Sequence, residues 1–235
     1  MDKNMKQLNE KVAIVTGAGQ GIGKGIALCL AKRGVKVVCT GRRPEPIEET
    51  VAEIKAAGGE AFAMTCDSAN RERVKEVVAK TVETYGTVDV VVNNAQAVAK
   101  SMPVEEVTYE LMHLAWSTGT IGSLNFMQEC FPYMKEQGEG RVINFASATG
   151  MFGYAGNCAY GSNKEAVRGL TKIAAKEWAK KFPEKYNAIL MQQPMRRLGD
   201  AETDIAPVIA FLAGPDSCYY SGQCLLLDGA YSIAP

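Results

Sequence analysis

Tyr160 and Lys164 stand four positions apart in Tyr160-Gly161-Ser162-Asn163-Lys164. On a helix that spacing puts both side chains on one face, a turn apart. A tyrosine ordinarily titrates near about 10, too high for a base at neutral pH. A neighbouring ammonium favours the phenolate and lowers that value. Such a tyrosine accepts a proton from an alcohol or returns one to a ketone. A Tyr/Lys pair at this spacing is common by chance, and Ser147 gives it weight. Ser147 closes Asn144-Phe145-Ala146-Ser147, just past an apolar run, where its hydroxyl would polarise a substrate oxygen.

A second group of residues suits a phosphate. Thr16-Gly17-Ala18-Gly19-Gln20-Gly21-Ile22-Gly23 follows the apolar run Lys11–Thr16 directly and opens a helical stretch. Glycines let the backbone turn tightly and approach a pyrophosphate. The helix start adds unpaired N–H groups and the positive end of its dipole. The competing reading is a glycine-rich structural turn, and the strand–turn–helix context argues against it. Where the second strand ends, a carboxylate would bond the ribose hydroxyls of NAD and repel a 2′-phosphate. This sequence has Gly41-Arg42-Arg43 there, and guanidinium forks suit phosphate. NADP(H) is therefore expected ahead of NAD(H), unless both arginines are only solvated surface charges.

These residues need a scaffold, and the pattern supplies one. Strands are expected at Lys11–Thr16, Lys36–Thr40, Glu60–Thr65, Asp89–Val92, Arg141–Phe145 and Gln223–Leu227. Helices are expected at Gly21–Arg33, Pro46–Ala57 and Ala69–Thr84, in a long stretch ending at Gln137, and at Asn157–Lys180 and Glu202–Leu212. Near-continuous apolar strands separated by helices indicate a parallel sheet covered on both faces. The expected fold is a doubly wound, Rossmann-like α/β sheet in one domain over residues 1–235, with ligands at the strand C-termini.

Composition narrows the function classes. The chain has 235 residues, with 26 Lys+Arg against 26 Asp+Glu. Zero net charge argues against a phosphate-tracking nucleic-acid binder and against a polybasic membrane tether. No apolar run approaches the roughly 20 residues of a membrane span, and the charged MDKNMKQLNEK is no signal peptide. A cytoplasmic protein is expected. Seven scattered cysteines form no C-x-x-C pair and fit a reducing compartment. A single histidine, His113, leaves no basis for a zinc site and weakens any Ser-His-Asp arrangement.

The spacing T-G-x-x-x-G-x-G, met by Thr16, Gly17, Gly21 and Gly23, resembles the short-chain dehydrogenase/reductase family, and most of the chain lines up with it. The resemblance implies a cofactor site at Gly17, Gly19, Gln20, Gly21, Ile22, Gly23, Arg42, Arg43, Asp67, Asn94, Ala95 and Lys164. In it Asp67 meets the adenine and Lys164 the nicotinamide ribose. It implies Ser147, Tyr160 and Lys164 as the catalytic set, a small alcohol or ketone as substrate, and a homotetramer or homodimer built on two long helices. Two positions depart from the family. Gln96 replaces the glycine of N-N-A-G, and Gly119 stands where the family carries a relay asparagine. Asn125 is a candidate substitute for that amide. With Met127–Tyr133 and Ile143–Ser147, these departures are similar to bacterial 12α-hydroxysteroid dehydrogenases, which implies a steroid alcohol as substrate.

Between Lys181 and Phe182 the chain is short of the family pattern by about 20–25 residues, a strand and a substrate loop. A lost central strand would leave backbone groups of its neighbours unsatisfied. Three readings stand: a mobile segment omitted from the sequence, a truly shortened chain, or Ile189–Gln192 filling the strand slot. The first is favoured because the flanks, Pro194–Asp200 and Ser221–Gly229, match on both sides. The expected activity is reversible, NADP(H)-dependent interconversion of a secondary alcohol and a ketone. The alternatives are a 3-oxoacyl-thioester reductase, or a dinucleotide-binding sensor or scaffold with little catalysis.

Overall fold

A computed structural model describes residues 7–97, 100–178, 195, 200–205 and 207–208. The chain divides into two compact units, Met1–Ala175 and Lys176–Pro235. In the first, five strands form one parallel sheet in the order β3-β2-β1-β4-β5. They are β1 (Val12–Thr16), β2 (Lys36–Gly41), β3 (Ala61–Thr65), β4 (Val90–Asn93) and β5 (Arg141–Asn144). Between them run α1 (Gly21–Ala31), α2 (Pro44–Ala56), α3 (Arg71–Tyr85), α4 (Tyr109–Trp116) and α5 (Gly122–Glu136). The helices α6 (Ala148–Phe152) and α7 (Cys158–Trp178) follow β5. The strand order reverses beside β1, between β1 and β4, which opens a crevice at the strand C-termini.

Both faces of the sheet are covered, as the apolar runs required. Ala13, Val15, Val37 and Cys39 point into one core with Ala27 of α1 and Ile47, Val51 and Ile54 of α2. Ile14, Val38 and Val91 point into the other, with Val74, Val77 and Val78 of α3 and Phe126 and Cys130 of α5. The alternation along β1 follows from the period of two in a strand. Burial pushes the Cys39 thiol up to about 12 and the Cys66 thiol up to about 11, so both are packing groups.

Element ends shift by one or two residues, for local reasons. α2 starts at Pro44 and not Pro46, because a proline fixes φ for the first helical turn and lacks only an N–H with no partner there. α3 starts at Arg71 because Asn70 Oδ1 accepts from Arg73 N at 3.1 Å, an N-cap, and it ends at Gly86 with φ 83°. The long helix expected before β5 is interrupted. A π-helical turn at Ser117–Ile121 separates α4 from α5. Asn163 of α7 inserts there and takes the N–H of Thr120 on its Oδ1 at 2.9 Å, and an inserted side chain is a recognised cause of such a break.

The strand ends are tied to α7. Asn93 Nδ2 donates to Asn144 Oδ1 across the β4–β5 register at 2.8 Å, and Asn144 Nδ2 donates to Thr171 Oγ1 at 2.9 Å. The strand expected at Gln223–Leu227, the stretch Ile189–Gln192 and the Lys181–Phe182 junction lie outside the described residues, as do Cys218 and Cys224. Of the helix expected at Glu202–Leu212, Ala201–Ile205 is a π-helical turn, 207–208 are helical, and the remainder lies outside the described residues. No helix among the described residues is long and apolar enough to cross a membrane.

Candidate functional site

A cleft of about 640 Å³ opens over the C-terminal ends of β1, β2 and β4. Its floor is the glycine turn. Gly17 and Gly21 adopt φ of 65° and 53°, a region that side chains with a Cβ rarely enter. A Cβ on Gly23 would stand 2.2 Å from Gly17 O and 2.6 Å from Asn94 Nδ2. The turn can therefore close against the first residues of α1 only with glycine at 23. Thr16 holds the opposite wall. Its Oγ1 accepts from Asn94 N at 3.0 Å and Ala95 N at 2.9 Å, and Asn94 Nδ2 donates to Thr16 O at 3.0 Å.

The same cleft is lined by Gly19, Gln20, Ile22, Arg42, Arg43, Asp67, Asn94, Ala95 and Gln96. Every expected cofactor residue except Gly23, beneath the turn, and Lys164 is thus brought to one surface. Arg43 Nη2 donates to Gln20 Oε1 at 2.7 Å, which ties α2's N-terminus to the glycine turn. Arg42 has no partner among the described residues and presents an unpaired guanidinium to the cleft. Asp67 Oδ1 accepts from Ala69 N at 3.0 Å, so its carboxylate is held at the turn leaving β3. The Gln96 carboxamide is buried in the cleft wall, and neither its Nε2 nor its Oε1 has a partner among the described residues. A buried amide without partners is costly, and a polar ligand would satisfy it.

Residue types and placement fit a dinucleotide: a backbone cradle that admits no Cβ, a free cation beyond β2, and an unsatisfied amide beyond β4. Sequence reading passed over two lining residues. Thr118 Oγ1 accepts from Ala97 N at 3.0 Å and donates to Leu114 O at 2.7 Å, and Ser68 Oγ donates to Thr118 O at 3.2 Å. Thr118 reaches the cleft from the π-turn, and Ser68 from the turn leaving β3, next to Asp67. Asn125, the candidate substitute for a relay amide, is committed elsewhere. Its buried Nδ2 donates to Ser68 O at 2.8 Å.

Ser147, Tyr160 and Lys164 do not line the cleft; they stand where β5, α6 and α7 meet. Ser147 caps α6, its Oγ accepting from Thr149 N at 3.2 Å. Two glycines set α6 on α7. A Cβ on Gly150 would stand 2.8 Å from Glu165 N, and one on Gly161 would stand 3.1 Å from Thr149 O. Tyr160 lines a narrow crevice with Lys100, Met102, Leu111 and Asn157. Lys164 is 6% exposed, and its Nζ donates to Phe145 O at 2.6 Å while lying 5.8 Å from the Tyr160 ring centre. Burial lowers its pKa from 10.5 to about 8. The expected helical turn between Tyr160 and Lys164 is therefore present, and it brings an ammonium to the face of the tyrosine ring.

Known proteins share this sequence pattern and fold. The family model for short chain dehydrogenase matches residues 11–182. A 12α-hydroxysteroid dehydrogenase of a Clostridium species is 37% identical over an alignment covering 96% of this chain and 98% of that protein. The alignment spans 254 positions, more than the 235 residues here, so the relative carries residues this chain lacks. A 3-oxoacyl-[acyl-carrier-protein] reductase of Thermotoga maritima is 32% identical, covering 97% of this chain and all of that one. Among solved structures, a metagenomic short-chain oxidoreductase in complex with NADP superposes with a TM-score of 0.70 at 31% identity, covering 73% of this chain and 78% of the other. An NAD⁺-bound xylitol dehydrogenase gives 0.72 at 28% identity, covering 92% and 97%.

Proposed function

The chain belongs to the short-chain dehydrogenase family, oxidoreductases of CH–OH groups that use NAD(P), and from that premise we propose an NADP(H)-dependent enzyme interconverting a secondary alcohol and a ketone. Ser147, Tyr160 and Lys164 are its catalytic set. The observation that carries this is the buried Lys164 ammonium, anchored on Phe145 O 2.6 Å away and 5.8 Å from the Tyr160 ring centre. That contact sets a cation against the face of the tyrosine that exchanges the proton. Tyr160 then takes the alcohol proton in oxidation and returns it in reduction. Ser147, held by its cap bond to Thr149 N, donates to the substrate oxygen and polarises it.

Gly17–Gly23, Asp67, Asn94 and Ala95 would hold the dinucleotide, with Gln96 donating to and accepting from it. When bound, its nicotinamide supplies or accepts the hydride. Arg42 favours the 2′-phosphate, because it lines the cleft with no partner among the described residues and Gly41-Arg42-Arg43 at the end of β2 carries no carboxylate. A steroid alcohol is the favoured substrate. The similarity to a hydroxysteroid dehydrogenase supports it, and so do Met151, Phe152 and Tyr154, apolar and exposed just after Ser147. Similarity to the Thermotoga protein supports a 3-oxoacyl thioester as the second reading.

The same reading includes a homodimer or homotetramer built on the long helices. Exposed Leu114, Trp116 and Ile121 before α5 and Ile173 on α7 support it, and light scattering measures it. It also includes a cytoplasmic location, in keeping with five free cysteines among the described residues.

The test is oxidation of NADPH and NADH against steroid ketones, short-chain ketones and a 3-oxoacyl thioester, with Tyr160→Phe in parallel. Turnover with NADPH and a steroid ketone is expected, falling by about 10²–10⁴-fold in Tyr160→Phe. Full turnover in Tyr160→Phe overturns the catalytic assignment. Cofactor binding without turnover on any substrate favours the scaffold reading.

A further inference from the structure

We propose that Asn163 is a positioning residue for Lys164 and Tyr160, supplying from α7 the amide that Gly119 lacks. The inference rests on the proposed function and concerns the same proton-transfer step. Asn163 is fully buried, one residue before Lys164. Its Oδ1 accepts from both Thr120 N at 2.9 Å and Thr120 Oγ1 at 2.7 Å, inside the π-turn. Its Nδ2 is buried with no partner among the described residues.

The two positions are mutually exclusive. A Cβ on Gly119 would lie 2.3 Å from Asn163 Nδ2, 2.6 Å from its Oδ1 and 2.8 Å from its Cγ. One carboxamide fits the space, and this chain brings it from α7. The consequence for Lys164 is mechanical first. The Oδ1 clamp fixes the turn of α7 carrying Tyr160 and Lys164 against the π-turn, so the Lys164 bond to Phe145 O is held from two sides. The second consequence is chemical. The buried Nδ2 remains a donor without a partner among the described residues, and an ordered water ordinarily meets such a group.

The decisive comparison is Asn163→Ala against the double variant Gly119→Asn/Asn163→Ala, with Tyr160→Phe alongside. For each, kcat is measured across pH 6–10 together with the NADPH dissociation constant. Asn163→Ala should lose about tenfold or more in kcat, move the limb of the kcat–pH profile, and leave NADPH affinity within about twofold. The double variant should regain most of the lost kcat and the original profile. Asn163→Ser carries the same comparison if the alanine variant no longer binds NADPH. An unmoved kcat and profile in the Asn163 variants, beside an inactive Tyr160→Phe, overturns the positioning role alone. A double variant no better than the single one overturns the exchange. Full turnover in Tyr160→Phe overturns the proposed function, and this inference with it.

Discussion

Gly119 and Asn163 share one space: the β-carbon that Gly119 lacks would sit 2.3 Å from the Asn163 amide nitrogen. On propensity alone, glycine to alanine within a helical stretch gains up to about 1 kcal/mol. Here the new methyl must displace a side chain held by two hydrogen bonds, and overpacking of that kind costs about 1–3 kcal/mol. Gly119→Ala should therefore lower the thermal midpoint. In an Asn163→Ala background the clash is gone, so the second substitution should cost far less than it does alone. Additive losses in a double-mutant cycle would show that the two side chains do not compete.

Gly23→Ala should damage the glycine turn more severely. Its Cβ would meet Gly17 O, a backbone atom, at 2.2 Å, and that carbonyl moves only if the turn moves. NADPH affinity should fall by at least about tenfold, because the N–H groups of the cradle depend on the turn's shape. Calorimetric titration measures it, and unchanged affinity would mean the turn does not hold the dinucleotide.

Arg42 and Arg43 should separate in their effects. Arg42 has no partner among the described residues, and Arg43 is bonded to Gln20. A charge-assisted hydrogen bond contributes about 1.5–3 kcal/mol, so Arg42→Ala should raise the KM for NADPH by about 10–100-fold. The KM for NADH should stay near its original value. Equal losses with both cofactors would show that Arg42 does not read the 2′-phosphate.

Lys164 predicts a pH dependence of stability. Its folded pKa is lowered by burial from 10.5 to about 8, so the folded chain releases this proton before the unfolded chain does. The cost of burying the charge is fully present below about 8 and is relieved as pH rises toward 10.5. Between these limits the unfolded state holds more protons, and stability rises with pH, by at most on the order of 3 kcal/mol. Urea melts of the wild-type chain and Lys164→Met at pH 7.5, 9 and 10 should diverge in favour of wild type as pH increases. Parallel curves would rule out the shifted lysine.

The sheet was legible because each strand is a short apolar run and each helix has its own stop. Gly86, with φ of 83°, ends α3, and Gly34, with the same φ, follows the end of α1 at Ala31. The cofactor cleft was legible for the same reason, since β1, its glycine turn and α1 are contiguous in sequence. The π-turn at Ser117–Ile121 was not. The sequence leading to Gln137 reads as one long helical stretch, and what breaks it is a side chain from 43 residues beyond Thr120. Thr118 became visible as a lining residue only once that break had placed it.

By itself the amino-acid sequence determined the alternation of strand and helix, the glycine cradle, the arginines beyond β2 and the Tyr160–Lys164 spacing. All of these are local, set by backbone conformation and by periods of two and 3.6 residues. Only the tertiary structure decided that Gly119 is a space taken by Asn163, that Asn125 is committed to Ser68, and that Lys164 is anchored on Phe145. These are matters of steric exclusion and hydrogen-bond pairing between segments distant in the chain. They are settled when α5 and α7 pack beside β4 and β5, and no local pattern encodes them.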